Sequence, residues 1–370
     1  MLIAAIAFVV LSQVQAPAVE GRYQENDEVS LPIRQEQHDQ VARYLERLRE
    51  LSKEKHTAFF QPDYTNERTY LASTGRYRDL LKERIGYPPP LAVSGKDPVL
   101  EPVAEDAHCT IIRVRYEVLE GVEAYGILSI PKGLSGPAPL LICQHGGGGS
   151  PELIANYRSA GTSPTNYGDM IYRALERGYI VYAPGLLFRL GGKEPIDGPE
   201  RVALDKQLRY VGTSILAVEC WKITRALDYL LTRPDIDPKR VGMSGLSYGG
   251  QFTLYVAALD QRIQAAVSSC YFNDRLLYGW EDWMFHNTLN EFTDAEVAGL
   301  ICPRPLLVEV GIKDELFSID GARATAPLAR AHWEKLGISE RFSFIEFDGG
   351  HEFQGDEGFA FLDVHVKENK

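Results

Sequence analysis

The sequence predicts an α/β fold in which a mostly parallel β-sheet is covered by helices on both faces, with a helical extension before it. Three observations predict this. From residue 109 onward, short runs rich in β-branched and aromatic residues alternate with longer stretches of helical periodicity. Several of those runs, among them "PLLICQ", "IVYAP" and "RPLLVEV", are continuously apolar, as strands buried on both faces are. Two strand-like runs also end in glycine clusters, "HGGGGS" and "GLSYGG".

In chain order, residues 1–16 are an apolar run closed by Val14-Gln15-Ala16. The run is too short to span a bilayer and has the form of an export signal, although only the amino terminus supplies its positive charge. No cysteine follows it, so it offers no lipid-anchor site. Residues 22–95 are expected to be helical. Val41, Tyr44, Leu45, Leu48 and Leu51 recur at spacings of three and four, on one helix face. "GRYRDLLKERIGYPPP" gives a second helix stopped by three prolines. This segment is too poor in apolar residues for a separate domain and is expected to pack on the main one, residues 100–367.

"CTIIRVRYEVLEGVEAYGILSIP" has two strand-like runs around Glu120-Gly121, a hairpin signal. "PLLICQHGGGG" is a buried strand entering a glycine loop, "YGDMIYRALERGY" a helix, and "IVYAPG" a strand. One long helical stretch is expected over 199–232, then the strand "RVGMSG" and the helix "QFTLYVAALD". "IQAAVSSCYF", "RPLLVEVG" and "RFSFIEFDGG" complete the strands.

Composition narrows the function. Of 370 residues, 45% are hydrophobic and 24% charged, values that exclude a disordered chain. The formal net charge of −12 argues against nucleic acid or an anionic membrane as partner, because both would be repelled. Five cysteines form no Cys-x-x-Cys pair and eight histidines form no His-x-x-x-His pair, so neither a metal site nor a disulfide is demanded.

The strongest chemical signal is Gly245-Leu246-Ser247-Tyr248-Gly249, a Gly-x-Ser-x-Gly motif at a strand-to-helix junction. Glycines crowd Ser247 because a turn this sharp leaves no room for side chains, and the turn lifts the hydroxyl to a helix N-terminus. Ser244 fits a structural role. A serine nucleophile needs a base and an orienting carboxylate, in the chain order serine, acid, histidine. Asp314 lies just past one strand and His351 just past the last, at "DGGHEF". The rivals are Glu315 for the acid and His332 or His365 for the base, while Glu309 lies inside a strand and is expected to point into packing. Two N–H donors for an oxyanion are expected from Tyr248 and from Gly147, with Gly146 and Gly148 as neighbouring choices. A phosphate loop is excluded because no Lys-Ser/Thr follows the glycines. Trp280, Trp283, Phe285 and His286 are candidate pocket residues, as are Phe188 and Arg189 after "APG".

Together these residues resemble the α/β-hydrolase superfamily, and within it the dienelactone-hydrolase and acetyl-xylan-esterase-like bacterial hydrolases. The likeness covers about residues 70–366 and rests on "RPDIDPKRVGMSGLSYGG", "ICPRPLLVEVGIKDELF" and "APLARAHWEKLGISERFSFIEFDGGHEF". It implies an eight-stranded sheet and cofactor-free hydrolysis through an acyl-enzyme. His351-Glu352 is similar to the His-Glu pair of carbohydrate deacetylases, whose Arg-Gly-Gln element is absent here, with "QHGGGG" in its place. Dienelactone hydrolases proper carry a cysteine nucleophile where this chain has Ser247, and glucuronoyl esterases carry an arginine where it has Tyr248. The expectation is an exported serine carboxylesterase acting on small-molecule or carbohydrate esters. A prolyl-oligopeptidase-like serine peptidase is the alternative, because Gly-x-Ser-Tyr-Gly-Gly occurs there too.

Overall fold

A computed structural model describes residues 18–95, 97–157, 165–187 and 198–368. The expected export signal and the pair Phe188 and Arg189 lie outside the described residues.

One nine-stranded sheet organises the chain. Its strands are β1 (Val99–Glu105), β2 (Cys109–Leu119), β3 (Val122–Pro131), β4 (Ala138–Gln144), β5 (Ile180–Pro184), β6 (Ile236–Leu246), β7 (Ala265–Ser269), β8 (Leu306–Gly311) and β9 (Phe342–Phe347). They lie in the order β1-β2-β3-β5-β4-β6-β7-β8-β9. The first three strands and the β3–β5 pair are antiparallel, and every pairing from β5 through β4 to β9 is parallel. The β2–β3 hairpin turns at Gly121, whose φ of 74° suits glycine.

The resemblance implied eight strands, and the ninth is the edge strand β1. "VLEPVAE" reads as a linker because every residue of it is exposed, and Pro102 interrupts it.

Eleven α-helices accompany the sheet among the described residues: α1 (Asp27–Phe59), α2 (Glu67–Ile85), α3 (Pro151–Ile154), α4 (Met170–Glu176), α5 (Gly198–Tyr210), α6 (Ile215–Leu230), α7 (Tyr248–Leu259), α8 (Thr288–Glu291), α9 (Asp294–Ile301), α10 (Ile319–Lys335) and α11 (Asp356–Leu362). The stretch 199–232 is two helices rather than one. Gly212 breaks it with a φ of 86°, and Ser214 starts α6 by accepting from the Ala217 N–H.

Strand β4 shows how the core is split. Leu140 and Ile142 join one buried cluster with α6, α7 and α9, while Leu141 and Cys143 join a second with α4 and α11. Neighbouring residues of a strand point to opposite faces, so helices cover both sides of the sheet. Helix α7 is buried at every residue. Its far end is held by Arg78, which donates to the Ala258 carbonyl, and by Arg304, which donates to those of Ala257 and Ile263. These cations satisfy carbonyls that a helix terminus leaves open.

The chain divides between Leu51 and Ser52 into two compact units. In the first, Val41, Tyr44, Leu45, Leu48 and Leu51 are exposed along α1. In the second, α2 starts at a capping box formed by Asn66 and Thr69. Phe60, Tyr70, Tyr77, Leu81 and Ile85 enter the core there. No described helix is long and apolar enough to cross a membrane.

Candidate active site

Ser247 is the single residue between β6 and α7, with φ 61° and ψ −121°. A non-glycine residue pays strain to hold that conformation, and its surroundings enforce it. Its N–H donates to the Ser269 carbonyl at 2.9 Å. A Cβ on Gly245 would stand 2.5 Å from the Gly249 backbone, and one on Gly249 would stand 2.1 Å from the Gln144 carbonyl. The glycines are there because the turn, the helix start and β4 touch backbone to backbone. Ser244 is buried below the turn.

Asp314 follows β8. Its Oδ1 accepts from the N–H groups of Leu316 and Phe317 at 2.8 and 3.1 Å, which fixes the carboxylate. Its Oδ2 lies 2.8 Å from His351 Nδ1. Glu315 is exposed. His351 is held by its turn, where the Gly350 N–H donates to the Glu352 carboxylate and the Gly350 carbonyl presses on Gly311 at the end of β8. Ser269 Oγ donates to the Glu352 carbonyl, so the residue that receives the Ser247 N–H also braces the histidine turn.

The rival histidines sit elsewhere. His332 is buried against Tyr64, and burial lowers its pKa to about 4. His365 packs against Phe361 near the C-terminus. Glu309 is fully buried in β8, as expected of a strand residue.

The glycine loop after β4 is rigidly seated. His145 Nδ1–H donates to the Gly146 carbonyl at 2.8 Å, and its Nε2 accepts from the Leu186 N–H at 3.0 Å. Burial lowers its pKa to about 4, in keeping with that neutral tautomer. The Gly149 N–H donates to the Gly146 carbonyl across a turn with Gly148 at φ 66°. The Gly146 N–H is taken by the Tyr167 hydroxyl at 2.9 Å. Gly147 stands exposed at the outer corner of this turn.

A run of aromatic rings leads to the histidine. Trp280 stacks on Trp283 at 4.3 Å, Trp283 on Phe317 at 5.6 Å, and Phe317 on His351 at 5.5 Å. Trp280 is 39% exposed, whereas Trp283 and Phe317 are buried. Below the wall, the Tyr248 hydroxyl donates to Asp282, whose carboxylate also receives Arg201 Nε at 2.7 Å. Arg201 bonds Glu219 as well, and Glu219 binds Lys222 and the Leu187 N–H. Burial alone would lower the Arg201 pKa, but the carboxylates of Glu219 and Asp282 outweigh it and raise the value.

Of the candidate pocket residues, Trp280 and Trp283 belong to this wall. Phe285 does not: it is buried edge-on to Tyr255 in the core. His286 does not either, and lines a separate cavity with Arg84 and Gly212. Arg189 lies outside the described residues. Sequence reasoning missed Phe317, Tyr167, Asp282 and Arg201. Only Phe317 carried a local signal, standing three residues after Asp314.

Residues 157–326 match the model of the Dienelactone hydrolase family. The chain is 26% identical over 229 residues to YtaP of Bacillus subtilis (strain 168), covering 60% of this chain and 75% of that protein. It is 25% identical over 185 residues to 4-O-methyl-glucuronoyl methylesterase 1 of Sodiomyces alcalophilus, covering 40% of this chain and 36% of that enzyme. The chain thus spans about a third of the length of that enzyme. Among solved structures, acetyl xylan esterase 1 from Thermoanaerobacterium sp. JW/SL YS485 superposes with a TM-score of 0.52 at 16% identity, over 80% of this chain and 93% of that one. That likeness is one of fold. The nine-stranded sheet and the Ser247 turn have the α/β-hydrolase arrangement, and residues 157–326 are similar to the dienelactone hydrolase family.

Proposed function

We propose that the protein is a serine carboxylesterase acting on carbohydrate-linked esters. The observation that carries the reading is the Asp314–His351 pair, 2.8 Å apart, at the same end of the sheet as the strained Ser247 turn. Asp314 holds the proton on His351 Nδ1, which leaves Nε2 free to take the proton of Ser247 as its Oγ attacks the ester carbonyl. The N–H groups of Tyr248 and Gly147 receive the oxyanion; the Gly146 N–H is already bonded to Tyr167. His351 then protonates the leaving alcohol. In the second half it activates the water that releases the acyl group from Ser247.

Trp280 supports a sugar-bearing substrate, because its half-exposed indole continues the stacked wall that ends on His351. The similarity to a glucuronoyl methylesterase supports the same class. Residues 1–16 form an export signal in this reading, so the enzyme meets its substrate outside the cytoplasm.

The test is hydrolysis of p-nitrophenyl acetate, longer acyl esters, acetylated and methyl-esterified sugars and a peptide anilide by wild type and by Ser247→Ala. Ester cleavage that Ser247→Ala loses by several orders of magnitude is the expected result. Retained turnover in that variant overturns the mechanism, and anilide cleavage favours the peptidase.

A further inference from the structure

Cys270 stands where the sequence gave no reason to look. It follows β7 directly with a φ of 47°, and its thiol lies under the histidine turn, 3.4 Å from the Glu352 carbonyl. Its Sγ, a carboxylate oxygen of Asp314 and a ring nitrogen of His351 all lie within 4.8 Å of one another. Among the described residues this is the one group of three such side chains arranged so closely. The thiol is buried, and burial together with the Asp314 charge pushes its pKa up to about 12. It is therefore a neutral bystander in the resting protein.

We infer that Cys270, Asp314 and His351 form an inhibitory site for a thiophilic divalent cation, Zn2+ or Cd2+. The donor set of thiolate, imidazole and carboxylate is the one such ions favour. Ligand atoms of a tetrahedral zinc site stand about 3.3–3.8 Å apart, given bonds of about 2.0–2.3 Å, so an entering ion spreads the 2.8 Å Asp314–His351 contact by about 0.5–1 Å while the thiol closes on it by about 1 Å. Asp314 is pre-set for this, since Oδ1 is anchored by two backbone N–H groups and Oδ2 is the oxygen that faces His351.

The site rests on the esterase reading for its consequence, though not for its existence. Metal binding at Nδ1 displaces the proton that Asp314 holds there, and the thiol proton is released to solvent. The displaced Nδ1 proton is taken up at Nε2 through solvent, so the imidazole stays neutral with its one proton on Nε2. A ring in that tautomer donates toward Ser247 and has no lone pair with which to accept the serine proton. The ion therefore disables the base without touching the nucleophile or the oxyanion donors. The fourth coordination position is left to water.

The experiment titrates CdCl2 or ZnCl2 into chelator-treated wild type, Cys270→Ala and Cys270→Ser. Calorimetry and the ultraviolet cadmium–thiolate absorption read binding, and p-nitrophenyl acetate turnover reads activity. Wild type is expected to bind one Cd2+ with a thiolate band, to lose turnover in step with occupancy and to recover it with EDTA. Both variants are expected to lack the band and to bind at least about tenfold more weakly. Equal inhibition of wild type and both variants, or no thiolate band at saturating Cd2+, overturns the site. Binding with its band in a protein that hydrolyses none of the esters upholds the site and overturns the esterase reading instead, so the two failures are separable.

Discussion

Arg201 Nε lies 2.7 Å from the Asp282 carboxylate, and both side chains are sealed from solvent, at 1% and 2% exposure. The pair ties α5 to the segment carrying Trp280 and Trp283, and through the Tyr248 hydroxyl it reaches the first residue of α7. Breaking such a pair from one side leaves a buried charge uncompensated. Arg201→Met is expected to cost about 3–5 kcal/mol of stability. Denaturant unfolding checks this, and a loss below 1 kcal/mol would mean that the remaining carboxylates find other partners.

The Tyr167 hydroxyl accepts the Gly146 N–H in the loop whose Gly147 is proposed to face the oxyanion. Tyr167→Phe orphans that buried N–H, at about 1–3 kcal/mol. Turnover is expected to fall by about tenfold or more with KM little changed, because an oxyanion donor matters in the transition state. Steady-state kinetics on p-nitrophenyl acetate decide it; a KM effect alone would place the loop in substrate binding only.

Trp280→Ala removes the exposed end of the aromatic wall while Trp283 and Phe317 stay packed. KM for a methyl-esterified or acetylated sugar is expected to rise about tenfold, equivalent to about 1.4 kcal/mol. The rate on p-nitrophenyl acetate should hardly move. Equal losses on both substrates would refute a sugar platform.

Glu309 gives the protein a pH dependence of known sign. Burial raises its pKa from 4.5 to about 7, Oε2 accepts from the Gly355 N–H, and Oε1 is buried without a partner. Between these two pKa values the folded chain binds more protons than the unfolded one. This carboxyl group therefore favours folding fully below about pH 4.5, and the contribution is lost as pH rises to about 7. The loss amounts to about 3 kcal/mol. Glu309→Gln should flatten that part of the stability profile, as thermal unfolding between pH 5 and about 8 would register.

Much of this was legible in the sequence because local rules carry it. Continuous apolar runs marked β4 through β8, and the need for side-chain-free neighbours marked Ser247. Position just past a strand, combined with chain order, made Asp314 and His351 the candidates; order alone does not separate them from Glu315, His332 and His365. What escaped was settled by tertiary placement. Strand β5 inserts between β3 and β4, a crossover that no run of residues encodes. Cys270 reads as a small core residue until its backbone, bent to positive φ, sets the thiol beside Asp314. Arg201 and Asp282 are 81 residues apart and acquire a shared role only through burial. Phe285 and His286 look like extensions of the tryptophan segment, but the chain turns away after Trp283, and Thr288 bonds back to Phe285.

Strand β1 has a consequence for crowding. A sheet ends in unpaired peptide groups that invite a strand from another molecule, and such additions seed aggregates. Here that border is "VLEPVAE". Pro102 has no N–H to offer, and the pairing slips between Pro102 and Ala104. On the β1 side of the sheet, an incoming strand therefore meets an interrupted ladder rather than a continuous one.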